Sequence, residues 1–262
     1  MNLFRRELRE GRAGLLGWSA GIAATVLMYV PFYPSVGGSG MMSAYLEAFS
    51  PEVSRLFGLD RMASGAGYVQ ATYFGLLGFL LLAIAAITWG ARSIAGAEAA
   101  GTLELTLAHG VTRWQVVTES ALAMLSRLAV LCAVGSVLIW ALDGPARLAL
   151  EPVNLVAATV ALFLLTALAG AAAICGGAVS GRPAVATGLG AAVAVGAYVL
   201  DAVADLTAAR WLARLSPYDW AFGRDPITTG FDAGGLALLA AAVAALLLLG
   251  GWRFARRDLM VG

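Results

Sequence analysis

Six long apolar stretches, separated by short polar segments, dominate the pattern along the chain. They run over Gly14–Pro31, Val69–Ala91, Ala121–Leu142, Leu155–Val179, Ala184–Leu200 and Gly234–Trp252. An α-helix crosses the roughly 30 Å hydrocarbon core of a bilayer in about 20 residues, which is the scale of these stretches. They are continuously apolar and do not alternate with polar residues as the strands of a membrane barrel do. The pattern therefore predicts an all-α integral membrane protein of six transmembrane helices, forming a single transmembrane domain over residues 1–262. Only the third stretch carries a charge, Arg127. A guanidinium at mid-bilayer costs several kcal/mol, so Arg127 is expected near the cytoplasmic end of its helix with its head snorkelling outward.

The polar segments have patterns of their own. Phe4 and Leu8, interleaved with Arg5, Arg6 and Arg9, predict a short amino-terminal interfacial helix lying on the inner membrane surface. The apolar run that follows is too long for a signal core and has no small-residue cleavage pattern before Pro31, so it is expected to remain as the first span. Between the first two spans, Tyr45, Leu46, Phe49, Val53, Leu56 and Phe57 recur at helical spacing around Pro51, predicting a broken amphipathic helix on the outer side. Asp201 to Asp232 is rich in aromatic and aliphatic residues, among them Trp211, Leu215, Tyr218, Trp220 and Phe222. This segment is expected to form interfacial or re-entrant helices before the last span.

Composition agrees with the pattern, at 60% hydrophobic and 13% charged residues. All 17 basic residues are arginine, and with the amino terminus inside, most of them fall on the cytoplasmic side. Both termini are therefore expected in the cytoplasm of a multi-pass membrane protein. A net charge of +1 with no basic tract beyond the membrane flanks gives no sign of nucleic-acid binding, whereas membrane lipid is an expected partner. Because the chain has no lysine, it cannot contain a P-loop, whose lysine must reach the nucleotide phosphates. Energy for any pumping must then come from a partner or from an ion gradient. Cys132 and Cys175 sit inside apolar stretches and are read as small hydrophobes.

Between the second and third spans, Ser93 to Ala108 reads as a cytoplasmic docking element. If it is helical, Leu103 and Leu107 form an apolar ridge at i and i+4. Glu98 and Glu104 then stay available to water or to a basic partner, and Gly101 separates two short pieces. Gly17 and Gly21 form a small-xxx-small pair that would let helices approach closely. The polar residues within the spans are mainly Thr25, Gln70, Thr72, Thr88, Thr159 and Thr166, which suits a hydrophobic or amphipathic substrate better than a charged one. An intramembrane enzyme lacks the groups it needs, since the one histidine, His109, lies in the loop and a Ser-Lys dyad is impossible. A gradient-driven secondary transporter stays open as an alternative, although no span has a central Asp or Glu to carry coupling ions.

The run Gly101-Thr102-Leu103-Glu104-Leu105-Thr106-Leu107-Ala108, with Val111-Thr112-Arg113, resembles the cytoplasmic loop of ABC-2 type permeases, the membrane subunits of bacterial ATP-binding cassette exporters. Pro51 to Gly58, Ser216-Pro217-Tyr218-Asp219-Trp220 and Phe254-Ala255-Arg256-Arg257-Asp258-Leu259 resemble that family's first outer loop, its Ser-Pro-aromatic signature and its tail. His109-Gly110 departs from the Thr-Pro common in the family. The resemblance implies a non-catalytic subunit that encloses a translocation route in the bacterial cytoplasmic membrane and exports a drug, antibiotic or lipid-like compound. It further implies two copies of a separate ATPase, which bind the ATP and Mg, and a second permease that is a copy or a paralogue. No cofactor is expected on this chain. The coupling set it implies is Glu98, Gly101, Thr102, Leu103, Glu104, Leu107 and Arg113.

Overall fold

A computed structural model describes residues 4, 7, 8, 11–36, 64–207 and 210–257. Arg5, Arg6, Arg9 and the amphipathic pattern around Pro51 lie outside the described residues, as do Asp258 and Leu259. Among the described residues, six helices are long and apolar enough to cross a membrane. In chain order the helices are α1 (Arg12–Ser35), α2 (Gly65–Ala99), the short α3 (Thr102–Ala108), α4 (Arg113–Ala146), α5 (Pro152–Ser180), α6 (Pro183–Thr207), the short α7 (Arg210–Ala213), α8 (Pro217–Phe222) and α9 (Pro226–Thr229), and α10 (Ala233–Arg256).

Local chemistry sets the ends of these helices. Thr112 caps α4 through a reciprocal pair with Gln115, so the helix begins before the apolar stretch and runs beyond the span expected from hydropathy alone. Proline opens α5, α6, α8 and α9, where a missing N–H costs nothing. The α5 helix closes on Gly181 in the left-handed region at φ +67°. The α6 helix continues to Thr207, so Asp201 and Asp205 are helical and the expected outer segment starts later than its first aspartate. Short helices do fill most of the remainder before α10.

The α2 helix is not uniform. Its segments Gln70–Leu77 and Arg92–Gly96 are wound as π-helix, on either side of a regular α-helical stretch, Gly78–Ala91. At the first of these, the Gly78 N–H reaches back to the Tyr73 carbonyl.

The bundle is built around α5. In its most apolar window 72% of residues are buried, against 17% in α1 and 22% in α6 and α10, so the last three present most of their surface outward. The centre is made of small residues. A Cβ on Gly90 of α2 would lie 2.6 Å from the Gly170 carbonyl oxygen of α5 and 3.1 Å from Ala173 Cβ, so the two backbones come together only because neither glycine has a side chain. By contrast, Gly17 and Gly21, expected from sequence to bring helices together, have open space around them within 4 Å. The α1 helix is peripheral, so its small-residue pair has no neighbour within this chain.

Candidate docking and coupling face

Both ends of the described chain converge on one end of the bundle, together with α3. Phe4, Glu7 and Leu8 are helical and pack against the start of α4: the Phe4 N–H donates to Glu119 Oε2 at 2.8 Å, and Ser120 Oγ donates to Glu7 Oε1 at 2.7 Å. Glu7 also faces Arg127, 3.5 Å from Nη2. Arg127 is 8% exposed, donates from Nε to the Ala123 carbonyl at 3.2 Å, and stacks over the Trp89 ring of α2 at 5.1 Å. The expectation that it snorkels to water is thus corrected. Its charge is met inside the protein by a carboxylate and an aromatic face, because burying an unpaired guanidinium costs more than burying a paired one.

The segment from α2 to α4 takes the two-piece form predicted. The backbone turns at Gly101, φ +68°, then forms α3 and passes through Gly110, φ +80°, to the Thr112 cap. The orientation of α3 differs from the expectation. Leu103 is 2% exposed and belongs to the chain's own core, and Leu107 packs on the same core. The ridge at i and i+4 exists, but it faces inward, because the end of α2 and the start of α4 supply the apolar surface it covers. What α3 offers outward is Thr102, Glu104, Ala108 and Leu105, the last 63% exposed.

Glu98 is likewise turned inward. Its side chain is 6% exposed and is ion-paired with Arg257 just past the end of α10, so it is not offered to water as expected. Arg113 points the same way: its Nη1 donates to the carbonyls of Phe254, at 2.8 Å, and of Arg257, and its guanidinium lies 5.4 Å from the centre of the Phe254 ring. Of the expected coupling residues, Thr102 and Glu104 therefore face outward. Leu103, Leu107, Glu98 and Arg113 tie the segment to its own protein.

Behind α3 lies a cavity of about 490 Å³, bordered by Glu7, Trp89, Arg92, Leu103, Thr106 and Arg127. The threonines within the spans do not form a polar path. Thr25, Thr72, Thr88, Thr159 and Thr166 each donate to the carbonyl four residues earlier in their own helix, at 2.7–2.9 Å.

At the other end, the structure gives the Ser-Pro-aromatic run a physical role. Ser216 is fully buried. Its hydroxyl caps α8 by accepting from the Tyr218 and Asp219 N–H groups, and it donates to the Ala197 carbonyl of α6 at 2.8 Å. Tyr218 packs its ring against Phe79, Tyr198 and Phe222 and donates its hydroxyl at 2.8 Å to the Gly75 carbonyl, inside the first π-helical segment of α2. Burial raises the Asp219 pKa, with further upward pushes from Asp205 and Asp232.

Residues 1–259 match the family model described as ABC-2 family transporter protein. Among curated proteins none matches the chain.

Proposed function

Since the chain belongs to the ABC-2 family of transporter proteins, whose members are membrane components that work with an ABC ATPase, we propose that it is the permease of an exporter and that α3 is the docking element for that ATPase. The observation that carries this reading is the outward face of α3, where Leu105 stands 63% exposed between Glu104 and Thr106 on a helix otherwise anchored by its buried Leu103. An apolar side chain on a short projecting helix, beside one charge, is what a groove on a partner can grip. In this reading the end of the bundle that carries α3 and both ends of the described chain is cytoplasmic, in a bacterial cytoplasmic membrane. Two ATPase copies bind ATP and Mg, and this permease pairs with a second copy or a paralogue. Their closure pushes α3 and the helices attached to it. The six spans are poor in charge and their threonine hydroxyls are spent on backbone carbonyls, which supports a hydrophobic or amphipathic cargo.

The test is capture of a P-loop protein with the tagged, gently extracted chain, compared with Leu105→Asp. The expected result is stoichiometric ATPase on the unaltered chain and its loss on the variant, with membrane insertion unchanged. Capture that survives Leu105→Asp would move the docking site off α3. No ATPase on the unaltered chain would turn the reading toward a gradient-driven transporter.

A further inference from the structure

Four separate parts of the chain meet around one ion pair. Glu98 comes from the end of α2, immediately before the Gly101 turn into α3, and Arg257 from the residue after α10. Arg113, the first residue of α4, donates to the Phe254 and Arg257 carbonyls, which are left without intrahelical partners as α10 ends. Gly181, in the turn from α5 to α6, covers the pair so closely that a Cβ there would collide with Arg257 Nη1 and come within 2.8 Å of Glu98 Oε1, and its φ of +67° is itself one that glycine favours. Phe254, fully buried, lies under both guanidinium groups, 5.4 Å from Arg113 and 5.9 Å from Arg257.

Resting on the reading of α3 as the docking helix, we infer that this cluster is a clasp that transmits displacement of α3 to α10, with Glu98, Arg113 and Arg257 as positioning residues that do not themselves touch the ATPase. The geometry supports transmission over mere surface decoration. Glu98 is 6% exposed and Arg257 17%, so the pair is held in a nook with little water, where separating the charges leaves each of them desolvated. The Gly101 turn makes α3 a distinct piece, and Glu98 lies just before that turn. A push on α3 therefore reaches Glu98 through only a few residues of backbone, whereas α10 is reached through the ion pair. Arg113 provides a second route to the same helix end from the other side of α3. The π-helical turn Arg92–Gly96 just before Glu98 gives the end of α2 a wider winding, in a region where such turns accompany movement.

The experiment uses the complex captured with the full-length chain. Cys132 and Cys175 are buried, and with both replaced by alanine, spin labels are placed at Leu122→Cys on α4 and Leu249→Cys on α10, both well exposed. The ATP-induced change in the distance between these labels is then measured in the parent, in Glu98→Gln, in Arg257→Gln, and in the exchange Glu98→Arg with Arg257→Glu. The expected result is undiminished ATPase capture in both single variants, an ATP-induced shift smaller by about fivefold or more, and recovery in the exchange. A single variant that captures ATPase and moves α10 as the parent does would overturn the clasp while leaving the function intact. Loss of ATPase capture in Glu98→Gln would make Glu98 a direct contact and also overturn it. If both single variants fail to accumulate in the membrane and the exchange does not restore them, the cluster serves folding alone. A parent chain that captures no ATPase refutes the docking reading itself, a result that none of the other outcomes can imitate.

Discussion

Replacing Glu7 with glutamine tests whether the Arg127 charge is held by a partner or by solvent. The two groups lie 3.5 Å apart, with side chains 9% exposed at Arg127 and 17% at Glu7, so little water is present to screen them. Removing one member of a buried pair costs about 3–5 kcal/mol, because the other charge stays buried. The separation is at the long end for a charge-assisted hydrogen bond, the Trp89 face still supports the guanidinium, and glutamine can still accept from Ser120, so the lower end, about 3 kcal/mol, applies here. For a chain of this size that corresponds to a fall in Tm of roughly 6–12 °C. Thermal unfolding of the purified chain in one fixed detergent, followed by tryptophan fluorescence, measures it. The decisive comparison is Glu7→Gln combined with Arg127→Met, which removes both charges and is expected to recover most of the loss, since apolar replacement of a whole buried pair is often neutral. If Glu7→Gln melts with the parent, or if the double variant is no more stable than the single one, the pairing argument fails.

Three further outcomes follow from the packing. Gly90→Ala, which brings a Cβ to 2.6 Å from a backbone oxygen, should cost about 1–3 kcal/mol, whereas Gly17→Ala should leave the melting curve within about 0.5 kcal/mol; equal effects would contradict the described helix crossing. Tyr218→Phe keeps the ring cluster but removes the donor to the Gly75 carbonyl, with an expected loss of about 1 kcal/mol and faster hydrogen exchange around residues 70–77. Asp219 has a folded pKa above its unfolded value, so folding favours its protonated form. Its penalty is absent below the ordinary aspartate range and grows as pH rises toward the raised value. Asp219→Asn should flatten that part of a pH–stability profile, and a profile unchanged by the substitution would refute the assignment.

The spans were legible because membrane crossing demands a long charge-free helix, a demand that acts on every residue of the stretch and leaves a local signature. The Gly101 break was legible for a similar reason, since a left-handed turn calls for glycine. The direction of α3 was not. Leu103 and Leu107 do share a face, but which face turns to the protein depends on the end of α2 and the start of α4, and periodicity along one helix says nothing about its neighbours. The same limit hid Glu98 with Arg257 and Glu7 with Arg127, partners separated by more than a hundred residues. One signal was present for the second pair: an arginine inside an apolar stretch calls for a carboxylate, and Glu7 lies in the amino-terminal segment already expected at that surface. The π-helical turns had no such signal, because their cause is the fit of α2 against α5 and α8.

Those turns fix how many residues α2 must contain. A π-helical turn accommodates a residue that an α-helix would have no place for, so the windings at Gln70–Leu77 and Arg92–Gly96 act as absorbed insertions. Deleting one residue from the first would let the helix relax to ordinary winding while turning everything after it by about 100°. Trp89 would leave Arg127, and Gly90 would leave Gly170. Length variation that a surface loop accepts is thus barred from the middle of this span, and the numbering of α2 is itself under selection.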